Sequence, residues 1–122
     1  MKNLLLLLFF FSFQFVKAQT IDKNEHAPIF PGGVDSMYAF IERNTNYPSQ
    51  TKDSLNEIKV LIRFAVMADG SIDKCKILSK TPKEFNGEAL RVVKLMPKWE
   101  PGIMNGRPVS FYFTLPIVFK TD

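Results

Sequence analysis

The chain has 122 residues, a formal net charge of +4 and a single cysteine. This length suits one domain, and a lone cysteine excludes an intramolecular disulfide. The basic residues are scattered along the chain rather than clustered, which argues against a nucleic-acid-binding protein.

Residues 1–18 have the pattern of a secretory signal peptide. Lys2 supplies the positive start, an apolar run begins at Leu4, and Val16 and Ala18 occupy the −3 and −1 positions of a cleavage site. The apolar run is shorter than the ~20 residues needed to span a bilayer. We therefore predict cleavage after Ala18 and export to the periplasm, with an inner-membrane-anchored chain as the alternative. A flexible leader over residues 19–27 and a folded domain over residues 28–122 are expected to follow.

The predicted domain begins with a turn and a helix. Two prolines and two glycines within residues 28–33 exclude a helix there and predict a turn that holds Phe30 against the core. Asp35 is a candidate N-cap for a helix that runs to about Asn44.

A β-hairpin is predicted over residues 57–79. The side chains of residues 57–66 alternate between apolar and more polar positions, as in a strand with one buried face. Asp69-Gly70 then predicts a tight turn, and residues 71–79 form the return strand. Cys75 lies on this strand between two lysines, and we predict that it points into the core as a small hydrophobic residue.

The last third of the chain has the pattern of a helix followed by a strand. Asn86 is a candidate N-cap for a helix over residues 87–96, which Pro97 would end. Trp99 follows in a connector rich in proline, and we predict that it fills the core, because large aromatic side chains dominate small cores. The final strand is predicted over residues 108–119.

These elements predict an α+β domain. A hairpin followed by a crossover helix and a third strand gives a three-stranded antiparallel sheet in the order 2-1-3, with two helices on one face. Pro116 cannot donate a ladder hydrogen bond, so the third strand is expected at the edge of the sheet.

Several motifs resemble those of the TonB C-terminal domain family, in the form common in Bacteroidetes-type bacteria. Their order and spacing along residues 28–119 match that family. They are Phe30-Pro31-Gly32-Gly33, Tyr47-Pro48, Phe64 through Asp69-Gly70, residues 88–93, residues 96–102, Gly106-Arg107-Pro108-Val109 and Leu115-Pro116-Ile117.

The resemblance implies a module that binds an extended segment of a TonB-dependent outer-membrane transporter. Such a segment would add as a strand beside the last strand of the sheet. The implied partner-binding residues lie on that strand and in the stretch after Tyr47-Pro48, where Lys52 stands at a position that is often glutamine in the family. They are Val109, Ser110, Phe111, Tyr112, Phe113, Thr114, Leu115, Gln50 and Lys52.

The same resemblance raises the question of energy coupling. Residues 19–27, fully extended, reach at most ~30 Å. An energy-transducing TonB protein needs a linker long enough to reach the outer membrane from its inner-membrane anchor. We therefore expect that this chain alone does not couple inner-membrane energy to an outer-membrane transporter.

Two other functions compete with the binding module. The first is a structural or assembly protein of the cell envelope that forms homodimers through its edge strands. The second is an enzyme that uses Cys75. We predict no enzyme and no cofactor, because the sequence contains no G-x-G-x-x-G, P-loop or G-x-S-x-G pattern. We predict no metal site, because one histidine (His26) and one cysteine are too few for the usual nitrogen and sulfur ligand sets.

Overall fold

The computed structural model describes residues 24–48 and 57–120. In chain order the elements of this part are two helices and five strands. They are α1 (Val34–Asn44), β1 (Glu57–Val66), β2 (Ile72–Ile77), α2 (Lys83–Lys94), β3 (Gly102–Met104), β4 (Arg107–Val109) and β5 (Phe111–Lys120). None of the described helices is long and apolar enough to cross a membrane. The predicted signal peptide and its cleavage site lie outside the described residues and stay predictions.

The central sheet has the predicted topology. Its three strands are antiparallel in the order β2-β1-β5, so that β1 is central and β5 forms one edge. β1 and β5 pair without a register shift from Glu57 opposite Lys120 to Val66 opposite Phe111. The α+β class and the strand order expected from the sequence are therefore confirmed.

The core lies between the sheet and both helices. The even-numbered residues of β1 from Val60 onward and the odd-numbered residues of β5 from Leu115 onward are almost completely buried. Both helices contribute buried residues to the same cluster, which places them on one face of the sheet. The contributing helix residues are Met37, Ile41, Phe85, Ala89, Val92 and Val93.

The helix starts differ from those predicted. Gly33, not Asp35, is the N-cap of α1, and Asp35 lies in the first turn, where its carboxylate suits the helix dipole. Pro82, not Asn86, precedes α2, whose bounds are Lys83–Lys94 rather than 87–96. An early start is favoured because it places the fully buried Phe85 on the inner face of the helix.

Asn86 makes local contacts inside α2 instead of capping it. Its Nδ2 donates to the carbonyl of Thr81 at 3.0 Å, and its Oδ1 accepts from the Thr81 hydroxyl. These bonds tie the first turn of the helix to the preceding loop, so Asn86 has a structural role although it does not cap the helix.

The last predicted strand is divided by a small hairpin. β3 and β4 pair across the turn at Asn105 and Gly106, both with positive φ, and β5 begins only at Phe111. The predicted strand over residues 108–119 was therefore wrong at its start. The chain segment before α1 joins the same hairpin, since His26 exchanges backbone hydrogen bonds of 3.0 and 2.9 Å with Ile103.

Candidate binding edge

The outer edge of β5 carries backbone groups that the sheet does not use. The direction of each group follows from Leu61 on β1, whose carbonyl accepts the N–H of Leu78 at 2.8 Å and whose N–H donates to the Ser79 hydroxyl at 3.0 Å. Both groups of Leu61 therefore point toward β2 and away from β5. Pro116, the partner of Leu61 on β5, belongs to a non-hydrogen-bonded pair and also points away from the neighbouring strand.

Because the register is unbroken, this direction alternates along all of β5. The backbone groups of Phe113 and Leu115 point inward to β1, while those of Tyr112 and Thr114 point outward. Pro116 occupies an outward position, where its missing N–H removes no bond of the sheet. The free edge therefore offers two donors in succession and then a gap at the proline.

A second proline stands on the other side of this stretch. Ile103 uses both of its backbone groups for His26, so Pro108, its partner on β4, has its nitrogen turned away from β3. Ser110 links β4 to β5 and lies outside both strands. The stretch that contains Ser110, Tyr112 and Thr114 therefore lies between Pro108 and Pro116, neither of which has an N–H to donate.

The structure places the sequence-predicted site residues in several different settings. Phe111, Tyr112, Phe113, Thr114 and Leu115 lie in β5, whereas Val109 pairs with Gly102 in the hairpin. Tyr112 and Thr114 are exposed, Phe111 and Phe113 are half-buried, and Leu115 is buried. Gln50 and Lys52 lie outside the described residues.

A surface groove of about 510 Å³ flanks the edge beyond Pro116. α1 forms one wall and the end of β5 the other, and the charges of the two walls are opposite in sign. Its lining includes Tyr38, Ile41, Glu42, Pro116, Val118 and Lys120. This groove therefore lies beside the part of β5 that follows Pro116, the residue without an N–H.

The face of the sheet opposite the helices, which we call the open face, is rich in cations. It carries the odd-numbered residues of β1 and the even-numbered residues of β5. The Arg63 guanidinium stacks on the Tyr112 ring, with Cζ 4.7 Å from the ring centroid. The sequence pattern placed Arg63 on this face but gave no sign that its side chain leans over β5.

Cys75 and Trp99 both pack in or against the hydrophobic core. Cys75 is half-buried against the core, and burial raises the pKa of its thiol. Trp99 is 3% exposed and packs against three aromatic rings, as predicted for a core residue. The described residues contain no group of three or more potential metal ligands.

Comparison with known proteins agrees with the fold and the motifs. The family model described as the Gram-negative bacterial TonB protein C-terminal matches residues 43–121, which is more than half of the chain. The chain belongs to the TonB C-terminal domain family. The Phe30-Pro31-Gly32-Gly33 motif lies before the matched region.

A solved member of this family has the same fold. The solution structure of the TonB C-terminal domain of Helicobacter pylori superimposes with a TM-score of 0.53 and 24% sequence identity, covering 70% of this chain and 90% of that domain. No curated protein gives a significant match to the chain.

Proposed function

We propose that this TonB C-terminal domain is a periplasmic binding module rather than an enzyme. Its partner is an extended segment of a TonB-dependent outer-membrane transporter or of another envelope protein. The segment adds as a strand to the outer edge of β5, where main-chain hydrogen bonds give affinity and side-chain contacts give selectivity.

The observation that carries this proposal is the outward alternation of β5. Tyr112 and Thr114 present donors and acceptors that are unused in the described part of the chain, and their side chains are exposed rather than packed. Pro116 ends the run of donors, so pairing is confined to the segment before it. Such an edge is a template for one short strand.

Proline substitution tests the edge directly. Thr114→Pro deletes an outward N–H and leaves the inward bonds of β5 intact, so the domain stays folded by circular dichroism. We expect the tagged parent protein to capture outer-membrane transporters from envelope extract and Thr114→Pro to capture far less of them. Mass spectrometry with isotope-labelled extracts measures the ratio.

Val118→Pro is the matched control. It removes an outward N–H from the same strand, but beyond Pro116, outside the segment to which the proposed pairing with the partner is confined. We expect capture equal to that of the parent. A loss with Val118→Pro but not with Thr114→Pro would move the contact to the groove between α1 and β5, which Val118 lines. An undiminished capture by folded Thr114→Pro would refute strand addition at this edge.

The same edge also serves the alternative function of self-association. Two copies could pair through their β5 strands. Sedimentation would then show a dimer for the parent and a monomer for Thr114→Pro. One feature disfavours this arrangement. Antiparallel pairing centred on Tyr112 would bring two Arg63–Tyr112 stacks together on one face, with like charges adjacent.

A further inference from the structure

We infer that the Arg63–Tyr112 pair is a carboxylate-binding position for the segment that adds to β5. The inference rests on the proposed strand addition and names one chemical requirement of the partner. That requirement is an acidic side chain on the face of the added strand that continues the open face.

The first argument is the position of the guanidinium. Arg63 belongs to β1, but its charged group lies 4.7 Å from the centre of the Tyr112 ring on β5, the edge strand. Stacking on an exposed ring fixes the plane of a guanidinium and leaves its outer N–H groups available for a bidentate carboxylate. A strand added about 4.8 Å beyond β5 would place alternate side chains beside that ring.

The second argument is that the Arg63 guanidinium has no hydrogen-bond or ion-pair partner among the described residues. Its Nε is inaccessible to solvent and has no hydrogen-bond acceptor in the described part of the chain. The ion pair found among those residues is Arg91–Glu88, on the other side of the sheet. No acid of the described residues pairs with this cation, and a carboxylate bound to the outer N–H groups of the guanidinium would supply the missing counter-charge.

The third argument is the charge of the surroundings. Lys76 on β2 lies directly opposite Arg63, and like charges opposite each other in a sheet repel. Asp73 is on the same face, opposite Ala65, and its single negative charge can balance only one of these two cations. Glu57, the other acid of this face, is opposite Lys120 at the far end of β5. The centre of the open face therefore has uncompensated positive charge beside the binding edge.

Selection from a phage-displayed library of random heptapeptides tests the inference. The purified exported protein, Arg63→Gln and the edge variant Thr114→Pro serve as targets in parallel. We expect the parent to select peptides with Asp or Glu at one fixed position, Arg63→Gln to select peptides without that preference, and Thr114→Pro to retain none of the parental peptides.

Synthetic peptides then measure the interaction itself. Replacing the selected acid by its amide should weaken binding to the parent about tenfold, as expected for a charged hydrogen bond, and should change binding to Arg63→Gln by less than about twofold. Arg63→Lys, which keeps the charge but cannot stack as a planar fork, should restore only part of the effect.

The outcomes separate this inference from the proposed function. Peptides that are lost with Thr114→Pro but show no acidic position would overturn the carboxylate site and leave strand addition intact. An equal effect of the acid-to-amide change on the parent and Arg63→Gln would do the same. Peptides that bind Thr114→Pro as well as the parent, or a library that yields no edge-dependent peptide, would overturn strand addition itself.

Discussion

Gly70 and Trp99 are joined backbone to backbone. The N–H of Trp99 donates to the carbonyl of Gly70 at 2.8 Å, and a Cβ at Gly70 would lie 2.1 Å from the carbonyl oxygen of Trp99. Gly70 also has a φ of +88°, a conformation that favours glycine. The hairpin turn and the connector after α2 are therefore held together at a point where only glycine fits.

We predict that Gly70→Ala destabilises the domain by at least about 2 kcal/mol, because backbone strain and a backbone clash act together. Gly106→Ala is the control, since Gly106 has a φ of +74° but its nearest neighbour would be 4.0 Å from the new Cβ. That variant should lose only about 1–2 kcal/mol. Urea unfolding measures both, and equal losses would show that contact with Trp99 contributes nothing.

Trp99 itself should be a major determinant of stability. The centroid of its ring lies 5.6 Å from the ring centroids of Phe30 and Phe64 and 5.1 Å from that of Phe113. We predict that Trp99→Ala costs roughly 3–5 kcal/mol in unfolding free energy. Trp99→Phe should cost less, because the indole N–H that it removes has no acceptor in the described residues. Native fluorescence should be blue-shifted, and a red-shifted, quencher-accessible spectrum would contradict this packing.

Cys75 distinguishes the binding module from the enzyme alternative. Burial raises the pKa of its thiol, so the nucleophilic thiolate is scarce at neutral pH. We predict slow labelling of the native protein by a maleimide, and for Cys75→Ala a loss of about 1 kcal/mol with unchanged partner capture. Rapid labelling together with loss of function in the variant would instead support chemistry at Cys75.

Glu88 and Arg91 connect the two helices. Glu88 accepts the backbone N–H of Asn46 at 2.6 Å and pairs with Arg91 at 2.7 Å, while Arg91 donates to the carbonyl of Asn44 at 2.6 Å. The hydrogen bond from Arg91, assisted by the N–H of Asn46, lowers the pKa of the Glu88 carboxyl. The end of α1 is thus tied to α2 through one carboxylate.

The sign of the pH effect follows from this lowered pKa. The stabilisation is fully present above the pKa of glutamate in the unfolded chain, about 4.3, and is lost as the pH falls through the lower folded value. We predict that the urea midpoint of the parent falls more steeply below pH 4.5 than that of Glu88→Gln. Glu84→Gln, at an exposed position on the same helix, controls for the change in net charge and should keep the parental profile.

The sequence was most informative where side-chain periodicity and turn chemistry agreed. The alternation of residues 57–66 predicted β1 to the residue, and Asp69-Gly70 predicted the turn. The predicted start of α2 was wrong because Asn86 is a good cap in isolation, whereas burial of Phe85 requires an earlier start. Tertiary packing outweighed local preference at the start of this helix.

The candidate site was only partly predictable. Pro116 indicated an edge strand, but the outward direction of Tyr112 and Thr114 depends on the pairing of Leu61 with both neighbours. The contact of Arg63 with Tyr112 could not be predicted, since it depends on the rotamer of a long side chain across two strands. The β3–β4 hairpin was missed because its strands have three residues each, too few for a periodic pattern.

Amide exchange should reveal the alternation of β5 in the free protein. The N–H groups of Phe113 and Leu115 bond to β1, whereas those of Tyr112, Thr114 and Val118 face outward. We predict that the outward amides exchange at least about tenfold faster than their inward neighbours, because they need no opening of the sheet. Phe113→Pro should correspondingly unfold the domain, whereas Tyr112→Pro should leave it folded.

The same amides report where a partner binds. Addition of a strand that ends at Pro116 should slow exchange at Tyr112 and Thr114 and leave Val118, which lies past the missing donor, as fast as in the free protein. A binding peptide selected with the parent protein is the ligand for this measurement, and Thr114→Pro with the same peptide is the control, in which Tyr112 should lose most of its added protection. Slowing at Val118 without slowing at Tyr112 would mean that the partner occupies the groove beside α1 and not the edge before the proline.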